Sequence, residues 1–261
     1  MQRNIPTLNL PTTLDFDIDL LNQRLMESLN IRIKEYSQQE YSFADLTHPQ
    51  KCFQILMKFS SKIEAVSLTC ASSMFMKYWA VPLLYPFLYA LLTQRVNLAW
   101  SMRHISTDLS PNWFWNRELL ITPPNSICFY TDKFQFEEFI FIIFNDLKKI
   151  FKSVSQVGKV KQQLLWENTA LRILQFYDAM AVKDNLKMYQ RKMQIQRQFL
   201  NDISAEYFGL KENPFKALEI NRDMHLNIYR RKKCCFYFQL PESSNEYCAS
   251  CPLNQSEKLK S

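Results

Sequence analysis

Glycine is almost absent from this chain of 261 residues, which contains Gly158 and Gly209 and no others. Ordinary usage would give roughly 18 glycines at this length. Clustered glycines let a backbone approach phosphate groups, so neither a Gly-x-Gly-x-x-Gly motif nor a P-loop can be written with these two. The sequence therefore predicts no nucleotide site of these kinds. It also disfavours folds with many glycine turns, such as large barrels and sandwiches.

Long hydrophobic runs are missing as well. The longest apolar stretch, Tyr78 to Leu92, is shorter than the about 20 residues that span a bilayer, and Pro82 and Pro86 interrupt it. We interpret it as buried core. Residues 1–6 lack the apolar segment of a secretory signal, so we expect a soluble, cytoplasmic protein in which thiols stay reduced.

The charge is unevenly distributed along the chain. The net charge is +7, with +6 in residues 183–233 and −3 in residues 1–50. No module or long basic run indicates nucleic-acid binding, so we expect none. A basic surface attracts an anionic ligand, an acidic partner protein or anionic lipid, and this leaves open a peripheral contact with the inner membrane. We expect a monomer.

The first third of the chain has helical periodicity. After an unstructured lead over residues 1–13, Thr13 is a candidate cap for a helix in which apolar residues recur at helical spacing: Leu21, Leu25, Leu29 and Ile33. Residues 38–48 look like a polar linker. A second helix is predicted to open at Pro49, with an apolar side formed by Phe53, Leu56, Met57, Phe59 and Ile63. A further apolar helix is predicted after Pro86.

In the middle of the chain, the sequence pattern changes from helical spacing to one typical of strands. Residues 112–120 and 126–131 are aromatic and β-branched, with Pro123-Pro124-Asn125 between them, and this predicts two strands joined by a turn. Helices are then predicted from Asp132 to Gly158, which ends the first, and over residues 159–181 and 184–199. Asn213-Pro214 marks a boundary, and after Glu219 the pattern becomes extended.

Four of the seven cysteines lie close together near the end of the chain, with the spacing Cys234-Cys235-x12-Cys248-x2-Cys251. Two intervening residues let both sulfurs of a Cys-x2-Cys hook reach one tetrahedral ion. Adjacent side chains on a strand point to opposite faces, so the chain must bend at Cys234-Cys235 if both sulfurs face one centre. A centre with two metal ions relaxes this demand.

Four cysteines at this spacing suit either a four-thiolate zinc site or a [2Fe–2S] cluster, and thiols that bind no metal are the remaining alternative. Zinc sites usually pair two Cys-x2-Cys hooks, so the vicinal pair favours iron and sulfur. The basic run before it, Arg230, Arg231, Lys232 and Lys233, fits an anionic cluster and a surface that an anionic partner approaches, although a solvated basic strand is the simpler interpretation.

The remaining chemistry-bearing residues do not form a recognisable constellation. Cys52, Cys70 and Cys128 lie in apolar contexts and are interpreted as small buried hydrophobes. The three histidines are scattered, and no Ser/His/Asp or Cys/His arrangement is indicated. Trp113, Trp115 and Tyr85 are candidate pocket walls, but buried core is their more ordinary role.

The cysteine tail resembles the C-terminal signature of the FhuF-type ferric siderophore reductases. The matching pattern is Arg-x2-Cys-Cys-x-Tyr-x2-Leu-Pro followed by Cys-x2-Cys-Pro, carried here by Arg231, Cys234, Cys235, Tyr237, Leu240, Pro241, Cys248, Cys251 and Pro252. Two internal stretches, Tyr85 to Thr93 and Leu165 to Thr169, are similar to the family more weakly. The spacer of twelve residues between the cysteine pairs is longer than the about ten of the family pattern, and residues 242–246 can absorb the difference.

The resemblance implies an iron–sulfur oxidoreductase that reduces Fe³⁺ in a ferric siderophore, mostly of the hydroxamate type, in the cytoplasm. It implies a [2Fe–2S] cluster on the four tail cysteines, no catalytic residue beyond it, and an external electron donor such as a ferredoxin or a flavin reductase. The alternative is a non-enzymatic siderophore-binding or iron-handling protein with a structural zinc site.

We therefore expect an α+β fold, namely a predominantly helical single domain with a small β-sheet or hairpin. Residues 1–221 would form the helical body and residues 222–261 the iron–sulfur segment.

Overall fold

The fold consists of seven α-helices, several short 3₁₀ helices and seven short strands in the residues that the computed structural model describes: 18–36, 40–93, 96–98, 100–107, 109, 118–121, 127–129 and 133–254. The helices are α1 (Ile18–Leu29), α2 (Pro49–Lys62), α3 (Leu68–Thr93), α4 (Lys133–Gly158), α5 (Gln162–Ala181), α6 (Gln190–Asp202) and α7 (Pro214–Ile220). The strands are β1 (Arg32–Glu35), β2 (Val96–Leu98), β3 (Ile105–Thr107), β4 (Glu118–Ile121), β5 (Ile127–Phe129), β6 (Arg222–Asp223) and β7 (Ile228–Tyr229). The expected predominantly helical α+β class is confirmed.

Helix α3 lies at the centre of the molecule. It is buried on nearly all sides and packs against α5, α2 and α4. Pro82 and Pro86 lie within it, so the prolines do not interrupt the apolar stretch, and the helix predicted after Pro86 begins instead at Leu68. A proline in a helix interior costs about 3 kcal/mol, and contacts along the whole circumference of α3 offset this cost.

By length and composition alone, α3 is also the one helix in the described part of the chain that is apolar enough to cross a membrane. However, 89% of its most apolar 18-residue window is buried inside the protein. Its apolar surface is therefore covered by neighbouring helices, as expected for a core helix.

The predicted start of α2 is confirmed, because the helix opens at Pro49 with His48 before it. Its predicted apolar side is only partly right. Phe53 and Met57 are each 47% exposed, whereas Cys52 and Ile55 are buried. The buried face of α2 is therefore rotated towards Cys52 and Ile55, which do not belong to the predicted apolar side.

The strands form three small sheets in the described residues, with the orders β1-β4-β3, β2-β5 and β6-β7. The predicted hairpin between residues 112–120 and 126–131 is wrong. Strand β4 pairs with β1 in parallel and with β3, whereas β5 pairs with β2, so the two predicted strands belong to different sheets. The local β propensity correctly indicated two strands, but contacts with residues distant in the sequence determine which strands they pair with.

Two expectations in the first fifty residues are corrected. Helix α1 ends at Leu29, and Ile33, predicted as its last apolar position, is a buried residue of β1. The predicted polar linker contains a 3₁₀ helix, Phe43–Thr47, whose Phe43 and Leu46 are fully buried. The lead and Thr13 lie outside the described residues.

The two glycines have distinct roles. Gly158 ends α4 as predicted, and a Cβ there would lie 2.0 Å from Ser72 Oγ, so α4 and α3 approach closely at this point. Gly209 has φ +65 and caps the 3₁₀ helix Ala205–Phe208 in the left-handed region that favours glycine. Helix α5 and the boundary at Asn213, which caps α7 through bonds to Phe215 N and Lys216 N, are also confirmed.

Candidate metal centre

The cysteine tail is an irregular segment that follows the hairpin of β6 and β7. After Cys234 and Cys235 the chain turns at Phe236, which adopts φ 65 in the left-handed region. A bulky residue rarely adopts this conformation, and such strain is typically held by surrounding contacts at functional sites. The bend that the vicinal cysteines require is therefore made at the next residue. A second turn closes the hook, because Cys251 N donates to Cys248 O at 2.8 Å.

The four sulfurs lie in two pairs. Cys235 Sγ is 3.6 Å from Cys248 Sγ, and Cys234 Sγ is 3.6 Å from Cys251 Sγ. Each pair thus joins one vicinal cysteine to one cysteine of the hook. All four are free thiols, so the pairs are not disulfides.

The pair separation fits two thiolates on one metal ion. Ligands at 2.3 Å in a tetrahedral arrangement are about 3.8 Å apart, close to the 3.6 Å seen in each pair. Among the described residues, no group of three or more Cys, His, Asp or Glu side chains is arranged to hold a metal ion. The described geometry is thus two separate thiol pairs rather than one closed four-ligand cage.

Arg231 is buried at 2% exposure against the first pair of sulfurs. Its Nη2 donates to Cys248 Sγ at 2.8 Å and to Cys235 Sγ at 3.0 Å, while Nη1 donates to Asn168 Oδ1 at 2.5 Å. Its backbone N–H donates to Ser250 O at 3.0 Å, inside the hook. One side chain therefore connects α5, the vicinal pair and the hook.

Lys77 is a second buried cation at the same pair. It belongs to α3, is 7% exposed, and places Nζ 3.6 Å from Cys235 Sγ. Its ammonium also lies over the ring of Tyr237, 4.7 Å from the centroid. Sequence reasoning missed Lys77; a lysine inside an otherwise uncharged 26-residue apolar stretch was the available signal.

The electrostatics favour a thiolate at this pair. The pKa of the Cys235 thiol is lowered, because Cys248 donates a hydrogen bond to its sulfur and the Arg231 and Lys77 cations lie close by. Burial lowers the pKa of Lys77, and the neighbouring Cys235 opposes that effect. In the second pair, burial raises the pKa of Cys234. Negative charge is thus favoured on the Cys235–Cys248 pair.

Helix α5 anchors the tail through two successive buried residues. Glu167 Oε2 accepts a hydrogen bond from the backbone N–H of Lys233 at 3.0 Å. Asn168 binds Arg231 and donates to Ser73 O of α3 at 3.2 Å. Both residues lie in the stretch Leu165 to Thr169 that was singled out in the sequence. The anchoring itself was not predicted.

Cys70 is a further thiol beside the tail. It is fully buried, as predicted, and its Sγ donates to Phe236 O at 3.5 Å. Cys52, a residue of α2, is also fully buried, as predicted. The side chain of Cys128 and the tryptophans Trp113 and Trp115 lie outside the described residues.

The basic run does not act as one surface. Arg231 faces inward, whereas Arg230 lies 3.7 Å from Asp223 and donates to Ala249 O at 2.7 Å. Lys232 forms an ion pair with Glu212 at 2.6 Å, and Lys233 is exposed. The four predicted basic residues therefore have different surroundings, and Arg231 alone contacts the sulfurs through its side chain.

The other candidates lie elsewhere. Tyr85 is buried in α3 and donates to Arg172 O at 2.8 Å, which is a core role. His225 is exposed in the turn between β6 and β7. A cavity of about 500 Å³ between α5 and α6 is lined in part by Tyr177, Gln194 and Arg197, and no sequence pattern indicates it.

No protein-family model matches this chain, and no curated protein shows significant sequence similarity to it.

Proposed function

We propose that this protein is a ferric siderophore reductase that uses a [2Fe–2S] cluster on Cys234, Cys235, Cys248 and Cys251. The observation that carries the proposal is the arrangement of these sulfurs in two pairs of 3.6 Å, each with one vicinal cysteine and one cysteine of the hook. A two-iron cluster needs two thiolates on each iron. One zinc ion would instead need all four sulfurs around a single point.

The buried charges support the same proposal. Removing Arg231 and Lys77 from water is unfavourable unless an anion lies beside them. Among the described residues, no carboxylate lies within ion-pair distance of either cation. Lys77 contacts the sulfur of Cys235, and Arg231 contacts the sulfurs of Cys235 and Cys248 besides the neutral amide of Asn168. Two ferric ions, two sulfides and four thiolates carry a charge of −2. Such a cluster would supply that anion.

The bound cluster would supply one electron at a time, and this suits iron held by a siderophore. Siderophores bind Fe³⁺ through hard oxygen donors, and Fe²⁺ is larger and less charge-dense, so the chelate weakens after reduction and iron leaves. The chain holds neither a Gly-x-Gly-x-x-Gly motif nor a P-loop. We therefore assign the supply of electrons to an external one-electron donor, such as a ferredoxin or a flavin reductase.

The role of the protein's own residues is to hold and partly cover the sulfurs. Cys235 and Cys251 are buried, whereas Cys234 and Cys248 are half-buried and give each pair one sulfur near the surface. A ferric chelate and an electron donor would approach from this side. The free state of the described cysteines agrees with a reducing, cytoplasmic location.

The test begins with protein purified without oxygen. We expect a reddish-brown protein with two iron and two sulfide ions per chain, and visible bands that bleach with dithionite. The reduced protein should then reduce a ferric hydroxamate siderophore, detected by trapping Fe²⁺ with a ferrous chelator. A colourless protein with one zinc ion and no iron would refute the proposal and favour the iron-handling alternative.

A further inference from the structure

The two buried cations are placed unequally around the four sulfurs. Among the described residues, the Lys and Arg nitrogens that lie within hydrogen-bond distance of a tail sulfur belong to Lys77 and Arg231. Both contact the Cys235–Cys248 pair. In the described part of the chain, the sulfurs of the other pair have two hydrogen bonds: Phe236 N–H donates to Cys234 Sγ at 3.4 Å, and Cys251 Sγ donates to Cys234 Sγ at 3.6 Å.

Exposure does not distinguish the two pairs, since each contains one buried and one half-buried cysteine. Charge does. A positive charge lowers the energy of added negative charge in proportion to 1/r, and this effect is large in a buried, weakly screened site. The iron held by Cys235 and Cys248 would therefore have the more favourable surroundings for an added electron.

We infer that Lys77, together with Arg231, directs the added electron to the iron held by Cys235 and Cys248 and raises the reduction potential of the cluster. The inference rests on the proposed function. The electron comes from an external one-electron donor, one iron changes from Fe³⁺ to Fe²⁺, and no bond is formed or broken. Lys77 is a positioning residue, since it acts through the sulfur of Cys235 rather than on the substrate.

The surroundings of Lys77 explain why it is suited to this role. It is the one charged residue in α3, and the described residues place no carboxylate within 4.0 Å of its ammonium. The aromatic faces of Tyr237 and Tyr78, 4.7 and 5.5 Å away, stabilise a cation without neutralising it. Its positive charge therefore stays directed at Cys235. Hydrogen bonds and charges near cluster sulfurs are known determinants of reduction potential.

The first experiment compares Lys77→Met with wild-type protein in an anaerobic redox titration. We expect Lys77→Met to bind two irons and to have a ratio of reduced to oxidised cluster at least tenfold lower at a fixed potential, a shift of about 59 mV for one electron. Lys77→Arg, which keeps the charge, should change that ratio less than about threefold. Lys192→Met is the control, because Lys192 is an exposed lysine of α6 whose ammonium donates to Leu92 O rather than to a tail sulfur. It should leave the potential unchanged.

The second experiment needs no variant. In the reduced wild-type protein, nuclear magnetic resonance of the cysteine β-protons separates ligands of Fe²⁺ from ligands of Fe³⁺ by the opposite temperature dependence of their shifts. We expect the Fe²⁺ ligands to be Cys235 and Cys248. Their assignment to Cys234 and Cys251, or an unchanged potential in iron-loaded Lys77→Met, would overturn the inference and leave the proposed function intact. Wild-type protein without iron would overturn both.

Discussion

The carboxylate of Glu167 accepts a hydrogen bond from the backbone N–H of Lys233, 3.0 Å away, at the residue before the cysteine pair. Its neighbour Asn168 holds the guanidinium of Arg231. Two successive residues of α5 therefore fix two positions of the tail just before Cys234. The path of the chain into the sulfur pairs is set by the helical body as much as by the tail.

The hook cysteines are expected to be essential for the metal and dispensable for the fold. Cys248→Ser and Cys251→Ser should each lose the cluster and the reduction of siderophore iron, and retain most helix content, because α1–α7 all precede residue 221. Iron analysis and visible absorption measure the cluster, trapping of Fe²⁺ with a ferrous chelator measures the reduction, and far-ultraviolet circular dichroism measures the helix content. The control is Cys52→Ala, which alters a buried thiol of α2 and should keep the full iron content. Wild-type reduction rates in either hook variant would contradict the expectation.

Arg230 and Arg231 are adjacent but should respond differently to substitution. Arg231→Ala leaves the Asn168 amide without its buried partner and removes a cation from the sulfurs, so we expect a loss of about 2–5 kcal/mol in stability and a strongly reduced iron content. Arg230→Ala removes a half-exposed contact and should cost under about 1 kcal/mol. Denaturant unfolding and iron analysis compare them. Equal losses of stability and of iron content in the two variants would contradict the expectation that the buried contacts of Arg231 cause them.

The contribution of Glu167 to the free energy of unfolding should depend on pH. Burial raises the pKa of its carboxyl group above the ordinary value of 4.5, although hydrogen bonds from Lys233 and Gln163 oppose this. Because this pKa is raised in the folded state, the protonated carboxyl group of Glu167 stabilises the fold fully below pH 4.5. This contribution is lost as the pH rises through the pKa of the folded state. Glu167→Gln should therefore be at least as stable as wild type at pH 7 and lose this advantage towards pH 4.

The matched variant for Glu167 is Glu167→Ala, which removes the acceptor for Lys233 N–H altogether. We expect it to be less stable than Glu167→Gln by about 1–3 kcal/mol at both pH values. Denaturant unfolding at pH 4 and pH 7 measures both effects. If Glu167→Gln proved the less stable protein at pH 7, the ionised charge rather than the hydrogen-bond acceptor would hold the tail.

Gly158 is expected to be intolerant of any side chain. Its Cβ would lie 2.0 Å from Ser72 Oγ and 2.5 Å from Ser72 Cβ, so Gly158→Ala should destabilise the fold by about 1–3 kcal/mol. Gly158→Ala combined with Ser72→Gly removes the clash and should recover part of that loss. Gly209→Ala is a useful comparison, because it meets no atom within 4 Å and should cost only the about 1 kcal/mol of its positive φ. Thermal unfolding measures the stability of the three variants relative to the wild-type protein.

Much of the helical body could be predicted because its signals are local. The start of α2 at Pro49, the end of α4 at Gly158 and the cap at Asn213 follow from residue types with strong positional preferences. The strand pairing could not be predicted in the same way. Strand β1 pairs with β4, more than eighty residues away, and no local pattern specifies such a partner.

The four cysteines of the candidate site could be singled out from the sequence, but the residues that surround them could not. The spacing of the four cysteines is a sequence pattern, whereas the approach of Lys77 to Cys235 joins residues 158 positions apart through packing of α3 against the tail. Glu167 and Asn168 lay in a stretch already singled out, but their role depends on which face of α5 meets residues 231–233. Buried polar residues within apolar helices were the available clue.

The anchoring of the tail by α5 also orders events during synthesis. Asn168 precedes Cys248 by 80 residues, which a ribosome adding 5–20 residues per second covers in roughly 4–16 s. Helices α3 and α5, which supply Lys77, Glu167 and Asn168, can thus pack together before the last two thiols have been made. The cluster would then be delivered to a receiving surface that is already folded, and the nascent chain would not depend on iron or sulfide to fold its helices.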